Sequence, residues 1–142
     1  MDRKFERLIE HYEKEHGLAP SQRVGRTIWI TGLSGAGKTT VASAVAARLR
    51  AAGMPAILLD GDQLRKLLGV SGAHSLEERR ALAFRYGALC KAFNERGHDV
   101  ICATISMFQD VRSWNRGNID RYLEIYLRVP VDELRRRDAK GL

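Results

Sequence analysis

The residues best suited to chemistry lie in one short segment, GLSGAGKT, which runs from Gly32 to Thr39. The segment fits the pattern G-x-x-x-x-G-K-[ST], in which backbone N–H groups of a glycine-rich loop surround the phosphates of a nucleotide. Lys38 is expected to reach the β- and γ-phosphate oxygens, and the Thr39 hydroxyl to ligate Mg²⁺. The competing interpretation is a glycine-rich turn that fits by chance. We favour the phosphate-binding loop because the segment falls between an apolar strand and a helical segment, as the motif requires.

The loop predicts that a nucleotide is bound together with magnesium. The helix that begins near Lys38 adds its dipole and its unpaired N–H groups to the phosphate site. The predicted nucleotide-binding residues are Gly32, Leu33, Ser34, Gly35, Ala36, Gly37, Lys38, Thr39 and Thr40.

Two carboxylates, Asp60 and Asp62, form a second chemical feature at the end of the apolar segment AILLD. In open α/β sheets, ligands bind at the edge where the strands end. Carboxylates there can hold Mg²⁺ through water and accept a proton from an acceptor hydroxyl, so both join Lys38 as catalytic candidates. Asp62 and Thr39 are the predicted metal ligands, and which aspartate is the base stays open. The alternative is a D-G-D turn whose aspartates only cap a helix at 63–66.

These candidates need a scaffold, and the apolar pattern predicts one. Strand-like segments are RTIWIT, AILLD, DVICATI and YLEIYLRV. Helical segments are the first 16 or so residues, KTTVASAVAARLRAAG, the stretch from Ser75 to Gly97, and VDELRRRD after Pro130. Alternation of helices with apolar strands predicts an α/β fold, a parallel sheet of the P-loop NTPase type with helices on both faces and four strands visible.

The composition narrows the class of protein. The chain has 142 residues with a net charge of +7, which suits an anionic ligand. No apolar run approaches the roughly 18 residues of a membrane span, and the charged N-terminus has no signal-peptide pattern. Cys90 and Cys102 lack metal-binding spacing. We therefore expect a cytoplasmic protein that binds a small nucleotide, with neither a membrane nor a nucleic acid as partner.

Four segments, WITGLSGAGKTT, LLDGDQLRKLL, ATISMF and ELRRRDAKGL, together resemble adenylylsulfate kinases. The resemblance runs from about Trp29 to Leu142. It implies that the chain moves the γ-phosphate of the co-substrate MgATP to the ribose 3′-hydroxyl of adenosine 5′-phosphosulfate. It also implies that Asp60 and Asp62 serve magnesium and the acceptor hydroxyl, and that Arg137 and Lys140 begin a lid over ATP. The residues implied to bind the acceptor are Arg65, Arg79, Phe84, Ile105, Ser106, Phe108 and Lys140.

The chain departs from the family pattern in two places that face the acceptor. The family commonly reads I-S-P-[FY]-R where this chain has residues 105–109, ISMFQ, and N-I-R-R where it has residues 82–85, LAFR. The segments ATISMF and WNR also resemble a side branch that phosphorylates the 3′-hydroxyl of cytidine diphosphoramidate. Both acceptors therefore remain open.

We divide the chain into residues 1–24, an N-terminal amphipathic helix and linker, and residues 25–142, a P-loop kinase domain. Family members continue past the K-G-L sequence with the remainder of the lid and a further strand, so a non-catalytic nucleotide-binding module is a third hypothesis. The N-terminal helix is expected to pack on its own sheet or on a second copy of the chain, which leaves a homodimer open.

Overall fold

The structure is a computed structural model that describes residues 3–71 and 75–139. Its strands are β1 (Thr27–Gly32), β2 (Ala56–Asp60), β3 (Asp99–Thr104) and β4 (Tyr122–Leu127). Its helices are α1 (Arg3–His16), α2 (Lys38–Ala51), α3 (Gly61–Leu68), α4 (Leu76–Glu95), α5 (Gln109–Asn118) and α6 (Val131–Ala139). Within the described ranges no helix has the length and apolar character needed to cross a membrane.

All four predicted strands and four predicted helices are confirmed. The sequence signals work as expected at α4, where the Ser75 hydroxyl accepts a hydrogen bond from the Glu78 backbone N–H, and Gly97 follows with a positive φ of 88°. α3 is the helix that the D-G-D alternative anticipated, although it begins at Gly61. α5 was missed, because its sequence QDVRSWNRGN is mostly polar, with Val111 and Trp114 as its two large apolar residues.

The four strands form one parallel sheet in the order β2-β3-β1-β4, which confirms the α/β fold. β1 is central and pairs with β3 on one side and β4 on the other. Because all strands are parallel, their carboxyl ends meet at one edge. The register places Asp60 beside Ala103, and Thr104 beside Thr31. The glycine-rich loop, the D-G-D segment and residues 105–108 therefore lie at the same edge of the sheet.

Helices cover both faces of the sheet. On one face α1, α3, α4 and α5 enclose a core that includes Trp29, Leu64 and Phe93. On the other face α2 packs through Ala42 and Ala46, which are four residues apart and both buried. Small side chains at this spacing let α2 lie close to the strands, and this holds its N-terminus beside the end of β1.

α1 packs on its own chain, since Ile9 is completely buried in the core formed with α4. Its C-terminal half is anchored by buried Glu13, whose carboxylate accepts hydrogen bonds from Arg96 and lies 2.6 Å from Nε2 of His98. Burial alone would raise the pKa of Glu13, but the hydrogen bonds from Arg96 and His98 outweigh it and hold that pKa below its ordinary value. His98 is therefore part of a structural hydrogen-bonded cluster at the opposite end of the sheet from the strand carboxyl ends.

Candidate functional site

The glycine-rich segment forms a tight loop between β1 and α2. Gly35 and Gly37 have φ angles of 85° and 95°, a region that other residues enter only with strain. A turn closes where the Ala36 N–H donates to the Leu33 carbonyl, 3.0 Å away. Gly37 is the N-cap of α2 and no side chain caps this helix. The N–H groups of the first helical turn are therefore left for an anion.

Gly32, the first glycine of the motif, is needed for a different reason. A Cβ atom at this position would lie 2.8 Å from the Leu127 carbonyl oxygen of β4, closer than real Cβ atoms approach. The end of β4 thus fixes where the loop leaves the sheet. Any side chain larger than hydrogen would push the loop away from its strand.

Lys38 lies at the first position of α2 and turns back over the loop. Its Nζ donates to the carbonyls of Gly32, at 3.0 Å, and Leu33, at 2.9 Å. Partial burial lowers the pKa of Lys38 from its ordinary value. Phosphate oxygens are stronger acceptors than carbonyls and would favour the charged ammonium, so the geometry suits a group that exchanges loop carbonyls for phosphate.

The other predicted nucleotide contacts surround the same loop. Leu33, Ser34, Thr39 and Thr40 are exposed, whereas Ala36 is buried beneath the turn. The two threonines stand in the first turn of α2, directly after the lysine. The structure therefore gathers every predicted loop residue at the carboxyl end of β1.

Asp60 ends β2 and caps α3. Its Oδ1 accepts from the Gln63 N–H at 2.8 Å, and its own N–H donates to Oε1 of Gln63 at 3.1 Å, a reciprocal capping box. The capping alternative is thus realised by Asp60. These bonds fix the direction of the carboxylate and leave Oδ2 outside the capping pair, so capping and a role toward a ligand are compatible.

Asp62, in the first turn of α3, forms an ion pair with Arg65 one turn later. The Asp62 side chain is 85% exposed, whereas that of Arg65 is 34% exposed and lies over Gly61. The structure therefore brings a predicted metal ligand and a predicted acceptor-binding residue into direct contact with each other.

The first turns of α4 carry further predicted acceptor contacts. Arg79 is exposed there, and Phe84 is half-buried against the core. The Arg80 guanidinium lies 5.3 Å from the centre of the Phe84 ring and forms an ion pair with Asp110 at the start of α5. The sequence analysis did not single out Arg80. Phe84, four residues on along α4, is at a spacing that a helix brings together, whereas Asp110, 30 residues along the chain, gives no local sequence signal.

The segment between β3 and α5 completes the edge. Ile105 is 57% exposed, Ser106 is half-buried, and Phe108 packs on the core as the N-cap residue of α5. Thr31 and Thr104, at the ends of their strands, both make hydrogen bonds to Ser106. The sequence analysis missed these two threonines, because a strand-end threonine is unremarkable until its partner is known.

A cleft of about 770 Å³ opens on the helical face, with Phe84 and Trp114 among its walls. Among the described residues, Arg85 supplies a charged side chain to it. The remaining lining residues are Phe5, Leu8, Leu68 and Ala88.

Arg137 of α6 reaches the nucleotide loop, where its Nη1 donates to the Gly35 carbonyl at 2.6 Å. Glu133 accepts a hydrogen bond from Nε of the same guanidinium at 3.2 Å. The structure therefore places this predicted ATP contact on the loop itself. Lys140, the other predicted lid residue, lies outside the described residues.

The donors near the loop fit magnesium better than a metal held by a protein cage. Over residues 3–71 and 75–139, no three or more His, Cys, Asp or Glu side chains are grouped to hold a metal. Mg²⁺ usually takes one or two protein oxygens and completes its octahedron with water and substrate phosphates. A Thr39 hydroxyl and one aspartate carboxylate are donors of that kind.

Comparison with known proteins gives a consistent picture. The family model described as adenylylsulphate kinase matches residues 24–142. A cytidine diphosphoramidate kinase of Campylobacter jejuni is 41% identical over 115 residues, covering 81% of this chain and 67% of the relative. An adenylyl-sulfate kinase of Picosynechococcus is 41% identical over 118 residues, covering 83% of this chain and 67% of the relative. The chain thus spans about two thirds of the length of these curated relatives.

The solved structures agree with the sequence comparisons. An APS kinase of Mycobacterium tuberculosis in complex with AMPPNP and APS superposes with a TM-score of 0.75 at 32% identity, covering 84% of this chain and 71% of the other. A hexameric APS kinase from Thiobacillus denitrificans gives a TM-score of 0.66 at 34% identity, covering 77% of this chain and 24% of the other.

Proposed function

The chain belongs to the adenylylsulphate kinase family of ATP-dependent phosphotransferases, and we propose that it transfers the γ-phosphate of MgATP to the ribose 3′-hydroxyl of a nucleotide acceptor. The observation that carries the proposal is the loop between β1 and α2. It combines two positive-φ glycines, an uncapped helix N-terminus and a lysine folded over the loop mouth. This arrangement is typical of a site that binds the phosphate groups of a nucleotide.

On the ATP side, the backbone N–H groups of the loop and Lys38 hold the β- and γ-phosphates. Thr39 and Asp62 hold Mg²⁺, which neutralises charge that develops on the phosphate oxygens. Arg137 adds a positive charge above Gly35. Phosphoryl transfer needs mostly positioning and charge stabilisation, and these residues provide both.

On the acceptor side, one of the two aspartates orients the acceptor hydroxyl and accepts its proton. Asp60 is held by the capping box, which gives its carboxylate a fixed direction. Asp62 is exposed and paired with Arg65, so a bound acceptor or metal can rearrange it. Arg65 and Arg79 bind the anionic groups of the acceptor, and Ile105, Ser106 and Phe108 line its path. Lys140 is proposed for the acceptor as well.

The acceptor that we propose first is adenosine 5′-phosphosulfate, by analogy with the APS-bound relative. The second candidate is cytidine diphosphoramidate. It is favoured by Phe84, which stands beneath the Arg80 guanidinium at a place where the family commonly has a polar residue. An apolar surface there removes hydrogen-bonding groups that a site for the first acceptor would use, and such losses discriminate strongly between substrates.

The test is ADP release from MgATP by the full chain, with each acceptor supplied separately. Lys38→Ala serves as the blank, and Lys14→Ala, an exposed lysine on α1, serves as the matched control. Release that only one acceptor stimulates would support the kinase and identify its substrate. ATP binding without stimulation by either acceptor would contradict the proposed transfer to these acceptors and favour a nucleotide-binding module.

We also propose that the chain assembles into a homodimer, by analogy with the Thiobacillus relative, which forms a hexamer. Ile9 of α1 is already buried in its own chain, so this residue is not available to a second copy. Solution mass measured by light scattering tests the proposal, and a monomer at all concentrations would contradict it.

A further inference from the structure

Thr31 and Thr104 form a buried pair at the carboxyl edge of the sheet. They face each other in the register of β1 and β3, and their exposed fractions are 0% and 5%. A threonine hydroxyl in such a place needs a hydrogen-bond partner, because burial takes it out of water and an unpaired hydroxyl destabilises the fold. For both residues that partner is Ser106.

The bonds to Ser106 involve its backbone on both sides of Cα and its side chain. The Thr31 hydroxyl donates to the Ser106 carbonyl at 3.1 Å. The Thr104 Oγ1 lies 3.0 Å from the Ser106 Oγ and accepts from the Ser106 N–H at 3.3 Å. Three atoms of one loop residue are therefore held by two strand ends.

These contacts connect the two halves of the proposed site. Thr31 directly precedes Gly32, so it stands at the root of the nucleotide loop. Ser106 belongs to the segment 105–108, which the proposed function assigns to the acceptor. Since β1 and β3 are adjacent strands, the position of the acceptor segment relative to the loop is set through rigid sheet.

We propose that Thr31 and Thr104 are positioning residues that hold the segment 105–108 in register with the nucleotide loop. This inference rests on the proposed kinase function and assigns to that site two residues that act through Ser106. The expected effect on rate is larger than the bond energies suggest. A misplacement of about 1 Å between reacting groups can lower the rate about a hundredfold.

The variants for the test are Thr31→Val and Thr104→Val, which keep the shape of the side chain and remove its hydroxyl. A third variant, Thr31→Ser, keeps the hydroxyl and removes only the methyl group. The matched control is Thr27→Val. Thr27 is a buried threonine on the same strand, but its hydroxyl donates to Oδ1 of Asn94 at the opposite end. All four variants are made in the full chain.

Two measurements are made on each variant. The first is amide hydrogen exchange of the peptide that contains residues 105–108, followed by mass spectrometry, which needs no activity. The second is steady-state kinetics with MgATP and the acceptor that stimulates ADP release. We expect faster exchange in Thr31→Val and Thr104→Val and a kcat about ten- to a hundredfold lower, with the KM for ATP unchanged. Thr31→Ser should recover most of the kcat, and Thr27→Val should keep both the exchange rate and the kcat.

The outcomes separate this inference from the proposed function. Unchanged exchange in both valine variants overturns the positioning role, whatever the activity. Faster exchange with an unchanged kcat overturns it too, because the segment would then be free to move without consequence for transfer. If the natural sequence transfers no phosphate to either acceptor, the proposed function fails, and the exchange data alone decide whether the threonines hold Ser106.

Discussion

The nucleotide loop and the proposed acceptor side share one edge of the sheet, but they are built by different means. The loop positions its ligand mainly with backbone, through the positive φ angles of Gly35 and Gly37 and the uncapped start of α2. The proposed acceptor side is built from long side chains that hold one another, as Arg80 does with Phe84 on the same helix and with Asp110 on α5.

The difference has a consequence for how each half can change. A site made of backbone depends on a few glycines and tolerates many side chains at the positions around them. Such a site can stay constant while the acceptor changes. A side-chain site can be rebuilt by a handful of substitutions. Two relatives of equal identity to this chain are named for different acceptors, cytidine diphosphoramidate and adenylyl sulfate.

The largest effect is expected at Asp60, where one carboxylate both caps α3 and faces the ligand edge. Asn is as good an N-cap as Asp, so Asp60→Asn should keep the helix and lower phosphoryl transfer by about 10²–10⁴-fold if Asp60 is the base. Asp60→Ala should lower transfer to the same extent and in addition destabilise the fold by about 1 kcal/mol. Single-turnover transfer and urea unfolding measure the two effects. Full activity of Asp60→Asn would assign the base to Asp62 or to neither.

A smaller effect is expected at Gly37, which tests the claim that the loop works through backbone. Gly37→Ala should cost about 1–2 kcal/mol because of its positive φ, and should weaken ATP binding by displacing the N–H groups. Gly17→Ala is the matched control, since Gly17 also has a positive φ (64°) and open space around it, but lies far from the loop. Both should lower the unfolding midpoint similarly, and only Gly37→Ala should weaken ATP binding in calorimetry. Equal ATP affinity of the two variants would contradict the claim that the loop binds the nucleotide through its backbone.

A change of a few-fold is expected at Arg80, which tests the side-chain half. Arg80→Ala removes both the ion pair with Asp110 and the contact with the Phe84 ring. Because exposed ion pairs contribute little to stability, the fold should be nearly unaffected. The KM for the acceptor should rise by about three- to tenfold while the KM for ATP stays the same, as a loss of about 1 kcal/mol on one side implies. A parallel rise in both KM values would show that the halves are not separable.

The smallest effect on activity is expected at Glu13, which lies far from the site and contributes to the stability of the fold in a pH-dependent way. The folded pKa of this group lies below its ordinary value of 4.5, so its contribution to stability is complete above about pH 4.5 and is lost as the pH falls through the lowered folded pKa. Glu13→Gln should therefore lower the melting temperature at pH 7 and flatten its fall between pH 5 and pH 3 (about the range in which carboxyls titrate). The control is Glu15→Gln on the exposed face of α1, which should change neither. An unaltered acid profile in Glu13→Gln would contradict the anchoring role.

The sequence predicted the elements and the loop well because both depend on local rules. Apolar runs predict buried strands, Ser75 predicts a helix start, and a glycine after a helix predicts a turn. Each of these signals lies within a few residues of the feature that it predicts. α5 escaped because its polar sequence is made helical by packing on α4, through few apolar residues such as Val111.

The residues of the acceptor side stay predictions, because their contacts are made between residues that are far apart in the chain. The contacts that define this side join Arg80 to Asp110 and Thr31 to Ser106, pairs separated by 30 and 75 residues. No periodicity or spacing rule relates residues so far apart in the chain. The packing of α5 on α4 brings Arg80 to Asp110, and the pairing of β1 with β3 brings Thr31 to the segment that follows β3.

The contact of Gly32 with the Leu127 carbonyl bears on the order in which the protein can mature during synthesis. The strand that carries the loop emerges from the ribosome early, but its partners emerge late: Thr27 pairs with Val100 and with Tyr122. A nascent chain that has produced only the glycine-rich segment has no strand against which to set it. The apolar β1 must therefore wait unpaired until β3 has been translated, and the strand end that abuts Gly32 is added only with β4. The interval before β3 emerges is the stage at which an unpaired apolar strand exposes this chain to aggregation.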